Sequence, residues 1–211
     1  MFVVTRYTTK TRSGSNVCRY SICDSSKGRV QMLKLHRKDG VYLLLEVFMD
    51  NGHFYYINDQ YFMDFPDPML MRNKESINGQ AHDRPCFYAF EDSTTGLYWM
   101  IPFSSQITKY RSYYNKKIQK YKNCDTITFG YVLGHEKAFL IQNMCPVTEN
   151  YIKNEYIDKV ANVPVRVNGD FEKELISKAK RVLALQRKGI RLIFPDVLLI
   201  ESKLLKIQNN G

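Results

Sequence analysis

Apolar and polar positions along this chain change rhythm several times, and the changes divide it into elements. From residue 54 onward, short apolar runs alternate with turn residues. "FYYIN" at 54–58 has the aromatic and β-branched content of a strand. "RPCFYAF" (84–90) and "GLYWMIPF" (96–103), joined by the polar "EDSTT", predict an antiparallel hairpin. "TITFGYVL" (126–133) and "KAFLIQNM" (137–144), separated by "GHE", predict a second one. "VPVRV" (163–167), ending at the turn pair Asn168-Gly169, reads as a shorter strand. The stretch 61–83 reads as loop, because Pro66, Pro68 and Gly79 forbid a long helix there.

Helical periodicity takes over elsewhere. The basic stretch 105–121 is one predicted helix, and 147–161 ("VTENYIKNEYIDKVA") is another, with Thr148 as its N-cap. A third runs from Asp170 as N-cap to Gly189 as its stop. In it Phe171, Leu175, Ala179, Val182 and Leu183 share one face at 3.6-residue spacing. "IRLIF" (190–194) reads as extended, and 195–207 as a helix opened by Pro195. Six strands, mostly in hairpins, and four helices predict an α+β fold, a twisted antiparallel sheet core of about six strands flanked by helices. Residues 1–53 differ in character, Ser/Thr-rich and basic before "VYLLLEVFM", and fit a small β-meander against the main sheet.

Charge adds a second layer. The 211 residues hold 31 Lys and Arg against 21 Asp and Glu, a net charge of +10. Residues 1–48 carry nine basic and three acidic side chains. Segment 107–122, "ITKYRSYYNKKIQKYK", carries six basic residues and no acidic one, interleaved with tyrosines. Such a stripe suits a polyanion, since phosphates answer to charge and bases stack on rings, although a solvated helix face has the same composition. Lys116, Lys117, Lys120 and Arg111 are its candidate phosphate contacts, and Tyr110, Tyr113 and Tyr114 its candidate stacking rings.

Other classes fall away. No window approaches 18 uninterrupted apolar residues, so no membrane span is expected, and the N-terminal apolar patch is too short for a signal peptide. The chain reads as cytoplasmic. Five cysteines without a C-x-x-C pair make structural zinc and disulfides unexpected, and Cys86 and Cys145 lie in apolar runs as buried thiols. G-x-S-x-G, Walker and H-E-x-x-H motifs are absent from the sequence. No metal and no cofactor is expected.

Hydroxyls and cations remain as candidate chemistry. "WMIPFSSQITKY" (99–110) ends an apolar run at Pro102, follows it with Ser104 and Ser105, and places Lys109 one helical turn beyond. Either serine would serve as an N-cap of the helix to come. The same helix terminus, with its free N–H groups, would equally hold a phosphate. Hairpin register across the 91–95 turn brings Arg84 near Ser104, and His82 precedes it in "AHDRP". His36, His53 and His135 read as surface or turn residues. Lys74, in "NKES", sits in a loop too irregular to place. RNA can be cut with such groups because its own 2′-hydroxyl is the nucleophile. The protein need only remove that proton, stabilise a pentavalent phosphorane and protonate the leaving 5′-oxygen.

Five strings resemble a known family in their order and spacing: "FYYINDQYFMDFPDPMLMRNKE", "HDRPCFYAF", "WMIPFSSQITKY", "FLIQNMCPVTENYI" and "LIFPDV". Over about residues 54–205 the chain is similar to the ToxN/AbiQ-type toxins of type III toxin–antitoxin systems, closest to their CptN/TenpN branch. That resemblance implies a metal-independent endoribonuclease that cuts mRNA and its own repeat RNA precursor. It also implies inhibition by the pseudoknotted RNA antitoxin in an RNA–protein hetero-oligomer. The family's hydroxyl motif falls on Ser104, Ser105 and Lys109, with Ile107 where some relatives carry the lysine. Its "RP" motif falls on Arg84, with His82 and Lys74 as companions. The resemblance implies an endoribonuclease toxin domain over 49–211. Residues 1–48 lie outside it, as a basic N-terminal extension or as an over-called start that places Met49 first. The second account expects 1–48 to pack poorly. Two further readings stand beside the enzyme: a non-catalytic module gripping a structured RNA, and a scaffold whose basic stripe binds acidic protein.

Overall fold

The computed structural model describes residues 2–10, 16–24, 29–38, 41–46, 49, 52–77 and 80–209, with side chains at 49, 52–73 and 83–209. It divides into two units, Met1–Met49 and Asp50–Gly211. In the first, β1 (Phe2–Lys10), β2 (Asn16–Asp24), β3 (Arg29–Lys38) and β4 (Val41–Glu46) pair in chain order as an antiparallel meander. How tightly it packs is a matter of side chains outside the described residues.

The second unit is an α+β fold around one antiparallel sheet. Its elements are β5 (Phe54–Ile57), α1 (Asp59–Asp64), β6 (Lys74–Ile77), β7 (Gln80–His82), β8 (Pro85–Glu91), β9 (Tyr98–Ser104), α2 (Ile107–Tyr121), β10 (Thr128–Val132), β11 (His135–Phe139), β12 (Cys145–Val147), β13 (Ile152–Glu155), β14 (Ile157–Asp158), β15 (Val163–Pro164), α3 (Gly169–Arg187) and α4 (Val197–Asn209). The sheet order is β10-β11-β9-β8-β5-β13, and β12 is a seventh strand. One edge of β9 is shared. Its Phe103 and Ser104 pair with β11, and its Tyr98, Trp99 and Met100 pair with β12. Among the described residues, no helix is long and apolar enough to cross a membrane.

Aromatic rings fill the core. Phe54, Phe87, Trp99 and Phe139 are fully buried, and Phe54 meets Phe87, Phe103, Phe139 and Tyr156 with ring centroids 5.3 to 6.4 Å apart. Edge-on contacts of this kind add to the burial of large apolar surfaces. Helix α3 closes the cluster with Leu175, Ala179, Val182 and Leu183, the face its spacing predicted. It starts two residues before the expected position, because Asn168 rather than Asp170 caps it by accepting the Asp170 N–H. Gly130 on β10 lets the ring of Phe171 lie against the strand, where a Cβ would come within 2.4 Å of Phe171 Cζ.

Arg187 fastens the far end of α3. Its Nη2 donates to Asp92 Oδ2 at 2.6 Å, in the β8–β9 turn, and to Glu201 Oε1 at 2.9 Å, on α4. Burial alone would raise the Asp92 pKa, but the Thr94 N–H and Arg187 outweigh it and hold the carboxyl below its ordinary value. A lowered folded-state pKa stabilises the fold above the unfolded value of about 4 and loses that contribution as pH falls through the folded one. Arg187→Met should therefore cost about 2 kcal/mol at neutral pH. In urea unfolding series, its gap from the wild type should narrow progressively below about pH 4.

Several sequence expectations give way to tertiary pairing. The predicted helix over 147–161 is a single 3₁₀ turn (Glu149–Tyr151) followed by β13 and β14. Strand β5 needs a partner on its open edge, and Ile152 pairs with Ile57 there. Tyr151 turns inward onto Tyr61 and Phe65 and donates its hydroxyl to Asp64 at 2.8 Å. The 61–83 stretch is not all loop. Asn58 accepts the Tyr61 N–H at 3.1 Å and starts α1, which ends before Pro66, while β6 and β7 form a small hairpin. Prolines there limit a helix without preventing a short one. The second hairpin turns at Leu133 and Gly134, both at positive φ, so His135 and Glu136 belong to β11. Residues 190–194 form no strand; the N–H groups of Leu192 and Ile193 both donate to Gln186 Oε1.

His53 is the clearest correction. It is 3% exposed, its Nδ1 is bonded to Glu155 Oε1, and its Nε2 accepts from Arg166 Nε. A ring nitrogen that accepts from a guanidinium carries no proton, so the ring is the Nδ1–H tautomer, serving as a structural bridge between β13 and Arg166. Cys86 and Cys145 are buried free thiols, as expected, and burial lifts the Cys145 pKa to about 12.

Candidate active site

The site is set by strand register. Cys86 pairs with Pro102 across the first hairpin, and two further steps place Arg84 opposite Ser104. On the other side of β9, Ala138 pairs with Ser104, and one further step places Lys137 beside Ser105. Three strands thus deliver Arg84, Ser104, Ser105 and Lys137 to one end of the sheet, where α2 begins.

Local bonds fix each of them. The Arg84 N–H donates to Asn73 Oδ1 at 2.9 Å, and Asn73 is itself held by Ile57 O and Asp59 Oδ1. The guanidinium donates from Nε to Arg72 O at 3.3 Å and from Nη1 to Phe103 O at 3.2 Å. Among the described residues, Nη2 with its two protons has no acceptor. Ser104 Oγ accepts the Gln106 N–H at 3.2 Å, a local turn bond. Ser105 is exposed, its Oγ accepts from Lys137 Nζ at 2.8 Å, and its own proton has no acceptor among the described residues.

Helix α2 adds positive potential. It begins at Ile107, with Gln106 in the cap position making no side-chain cap bond and no acidic residue in the first turn. Neither serine is the N-cap, so the orphan N–H groups and the positive end of the helix dipole face the same corner as the hydroxyls. Among the described residues, two nearby acids are engaged elsewhere. Glu136 pairs with Arg111 at 2.5 Å, and Asp83 with Lys153 at 2.5 Å. The corner therefore combines hydroxyl and N–H donors with two cations, a set suited to a phosphate or its phosphorane.

The remaining predicted residues divide by the face of α2 they occupy. Ile107, Tyr110, Tyr114 and Ile118 lie over the buried cluster of Cys124, Ile127, Ala138 and Leu140, which half-buries both tyrosines. Tyr114 meets Phe129 edge-on at 5.6 Å, and Arg111 lies 4.3 Å from the centre of that ring. Tyr113 stays 42% exposed, and Lys109, Lys116 and Lys120 are exposed. Lys109 Nζ sits 5.7 Å from the centre of its neighbour Tyr110, while Lys137 takes the contact with Ser105. Lys117 turns inward and donates to Thr126 Oγ1 at 2.7 Å and Gln142 Oε1 at 2.8 Å, and burial lowers its pKa. Lys74 and His82 are paired in register across the β6–β7 hairpin, and their side chains lie outside the described residues. Lys137 escaped sequence reasoning because the pairing of β11 with β9, which sets it beside Ser105, joins strands separated in the chain by α2 and β10.

No protein-family model and no curated protein matches the chain. Among solved structures it is similar to AbiQ, a lactococcal anti-phage endoribonuclease belonging to the type III toxin–antitoxin system. The TM-score is 0.56 at 14% identity, over 77% of this chain and the whole of AbiQ. The chain has the fold of that endoribonuclease.

Proposed function

We propose that this chain is a metal-independent endoribonuclease toxin of the ToxN/AbiQ type, of the CptN/TenpN branch. Residues 49–211 form its toxin domain, and residues 1–48 are a basic extension or an over-called start. It acts in the cytoplasm, cutting mRNA and its own repeat RNA precursor, and the pseudoknotted RNA antitoxin inhibits it in an RNA–protein hetero-oligomer. The observation that carries this reading is the convergence of Arg84, Ser104, Ser105 and Lys137 beside the uncapped start of α2. The fold it shares with AbiQ supports the same reading.

In the proposed reaction the RNA 2′-hydroxyl loses its proton to a base and attacks the adjacent phosphorus. The 5′-oxygen leaves with a proton, and the products carry a 2′,3′-cyclic phosphate and a 5′-hydroxyl. Arg84 neutralises one non-bridging oxygen. Ser105, held by Lys137, donates to another or positions the 2′-hydroxyl, and Ser104 fixes the turn that presents it. His82 and Lys109 are the candidates for base and acid. Lys74, Arg111, Lys116 and Lys120 guide the backbone, with Tyr113 as the exposed stacking ring.

A defined RNA incubated with the purified chain in excess EDTA tests this. Cleavage with 2′,3′-cyclic phosphate ends, blocked by a single 2′-deoxy substitution at the scissile nucleotide, is expected. Tight binding with an intact RNA would leave a non-catalytic RNA-binding module instead.

A further inference from the structure

Lys137 has no part in the proposed reaction beyond holding Ser105, yet the geometry of that contact allows more. We propose that Lys137 supplies the proton taken up by the leaving 5′-oxygen, passing it through the Ser105 hydroxyl. Only Ser105 touches the reacting atoms, and Lys137 acts through it. The proposal rests on the endoribonuclease reading above and deepens it.

The two serines differ in what they hold. Ser104 Oγ accepts the Gln106 N–H at 3.2 Å and is tied to the turn. Ser105 is exposed, and its Oγ accepts from Lys137 Nζ at 2.8 Å. An ammonium only donates, so this bond has one direction. The Ser105 hydrogen has no acceptor among the described residues. A hydroxyl that accepts from a cation is a better donor in turn, because successive hydrogen bonds polarise one another.

The sheet places Lys137 for this task. It lies on β11, one step beyond the Ala138–Ser104 pair, and is half-buried. Among the described residues it has no carboxylate partner, and its neighbour Glu136 pairs with Arg111 at 2.5 Å. Lys109, on the first turn of α2, sits 5.7 Å from the Tyr110 ring centre instead. Among the described residues, Lys137 is therefore the cation bonded to either serine.

Strand order supplies the direction. An in-line displacement sets the attacking 2′-oxygen and the leaving 5′-oxygen on opposite sides of phosphorus. In the sheet, β9 runs between β8 and β11. Arg84 immediately precedes β8, and His82, a candidate base, ends β7 two residues before it. Lys137 arrives from the other side. A phosphate between Arg84 and Ser105 thus has the β8 side for the base and the β11 side for the leaving group.

As the P–O5′ bond breaks, its electron pair passes to the 5′-oxygen, which takes the Ser105 hydrogen as a proton. Ser105 Oγ takes a proton from the Lys137 ammonium, leaving a neutral amine. The amine is reprotonated from solvent, to which the base returns the 2′-hydroxyl proton, so no net proton is consumed.

A bridging 5′-thio linkage at the scissile phosphate, compared with the ordinary 5′-oxygen in single-turnover cleavage by the full chain, tests this. A thiolate leaves without a proton, so the sulfur substrate removes the need for an acid. On the oxygen substrate Lys137→Met should be about ten-fold slower than the wild type, with water recharging Ser105 in its place. Lys137→Arg keeps a cation and a donor but cannot be deprotonated, and should be as slow. On the sulfur substrate both variants should come within about two-fold of the wild type. Arg84→Ala should keep its defect there, because charge still develops on the non-bridging oxygens. Rates are compared at equal folded fraction, set from urea midpoints. A wild-type rate for Lys137→Arg on the oxygen substrate would overturn the proposal, since charge alone would suffice. So would a gap as wide on sulfur as on oxygen, or an Arg84→Ala protein restored to the same extent. Each of these leaves the enzyme standing, whereas a wild type that cuts neither linkage removes enzyme and relay together.

Discussion

Arg84→Ala should lower the rate of RNA cleavage by about 10²–10³-fold while leaving the fold in place. Two carbonyls, Arg72 O and Phe103 O, orient the guanidinium before any ligand arrives, so it meets developing phosphate charge without reorganising. Those carbonyls border solvent and can be hydrated in the variant, so the unfolding midpoint should move little. Arg84→Lys should recover only a small part of the rate. A single ammonium cannot bond both carbonyls and still present two parallel donors to a phosphate. Lys137→Met should cost about ten-fold, since Ser105 keeps its hydroxyl and loses only the cation that holds it. Single-turnover rates on one labelled RNA, beside urea midpoints for each variant, check all three. An Arg84→Ala protein that cuts at the wild-type rate would remove this residue from the site.

Phe54→Ala should have the largest effect on stability, about 3–5 kcal/mol. The side chain is fully buried and touches four aromatic rings from four separate segments of the chain. Truncation leaves a cavity that rigid neighbouring rings cannot collapse into. Domains of this size hold about 5–15 kcal/mol in total, so much of the margin would go. Phe54→Leu keeps most of the volume and should cost about 1.5 kcal/mol. Because Phe54 packs on Phe103, next to Ser104, cleavage should fall with the folded fraction and recover in the leucine variant. Equilibrium urea unfolding gives both numbers, and equal midpoints for the alanine variant and the wild type would mean that the ring cluster is not what holds the sheet.

What could be read from the sequence follows physical range. The first hairpin was legible because its strands are aromatic and joined by a short turn, so counting across the turn already placed Arg84 near Ser104. Helix α3 was legible for the same reason, since its face depends on spacing within nineteen residues. Residues 147–161 misled because tyrosines and isoleucines recur there at helical spacing, while what decides their conformation is the open edge of β5, about ninety residues earlier. His53 carried no local signal at all. Its partners, Glu155 and Arg166, lie 102 and 113 residues away, and a Gly-His pair reads as a surface turn until they are brought together. Lys137 had no local signal either, because it meets Ser105 only through the pairing of β11 with β9, two strands separated in the chain by α2 and β10. The hydroxyl pair itself was visible from the start, but its role as a helix cap or a phosphate donor could not be separated without the bonds to Gln106 and Lys137.

The central claim is that Ser105 and its neighbours carry metal-independent cleavage of RNA. It is tested most directly by inducing wild-type and Ser105→Ala chains in cells, matching their levels, and mapping the chemistry of RNA ends in extracts prepared with EDTA. New 2′,3′-cyclic phosphate and 5′-hydroxyl ends with the wild type, and none above background with Ser105→Ala, are the predicted result. Identical end profiles and equal growth from the two would contradict it, leaving a hydroxyl that only completes a turn at the end of a sheet.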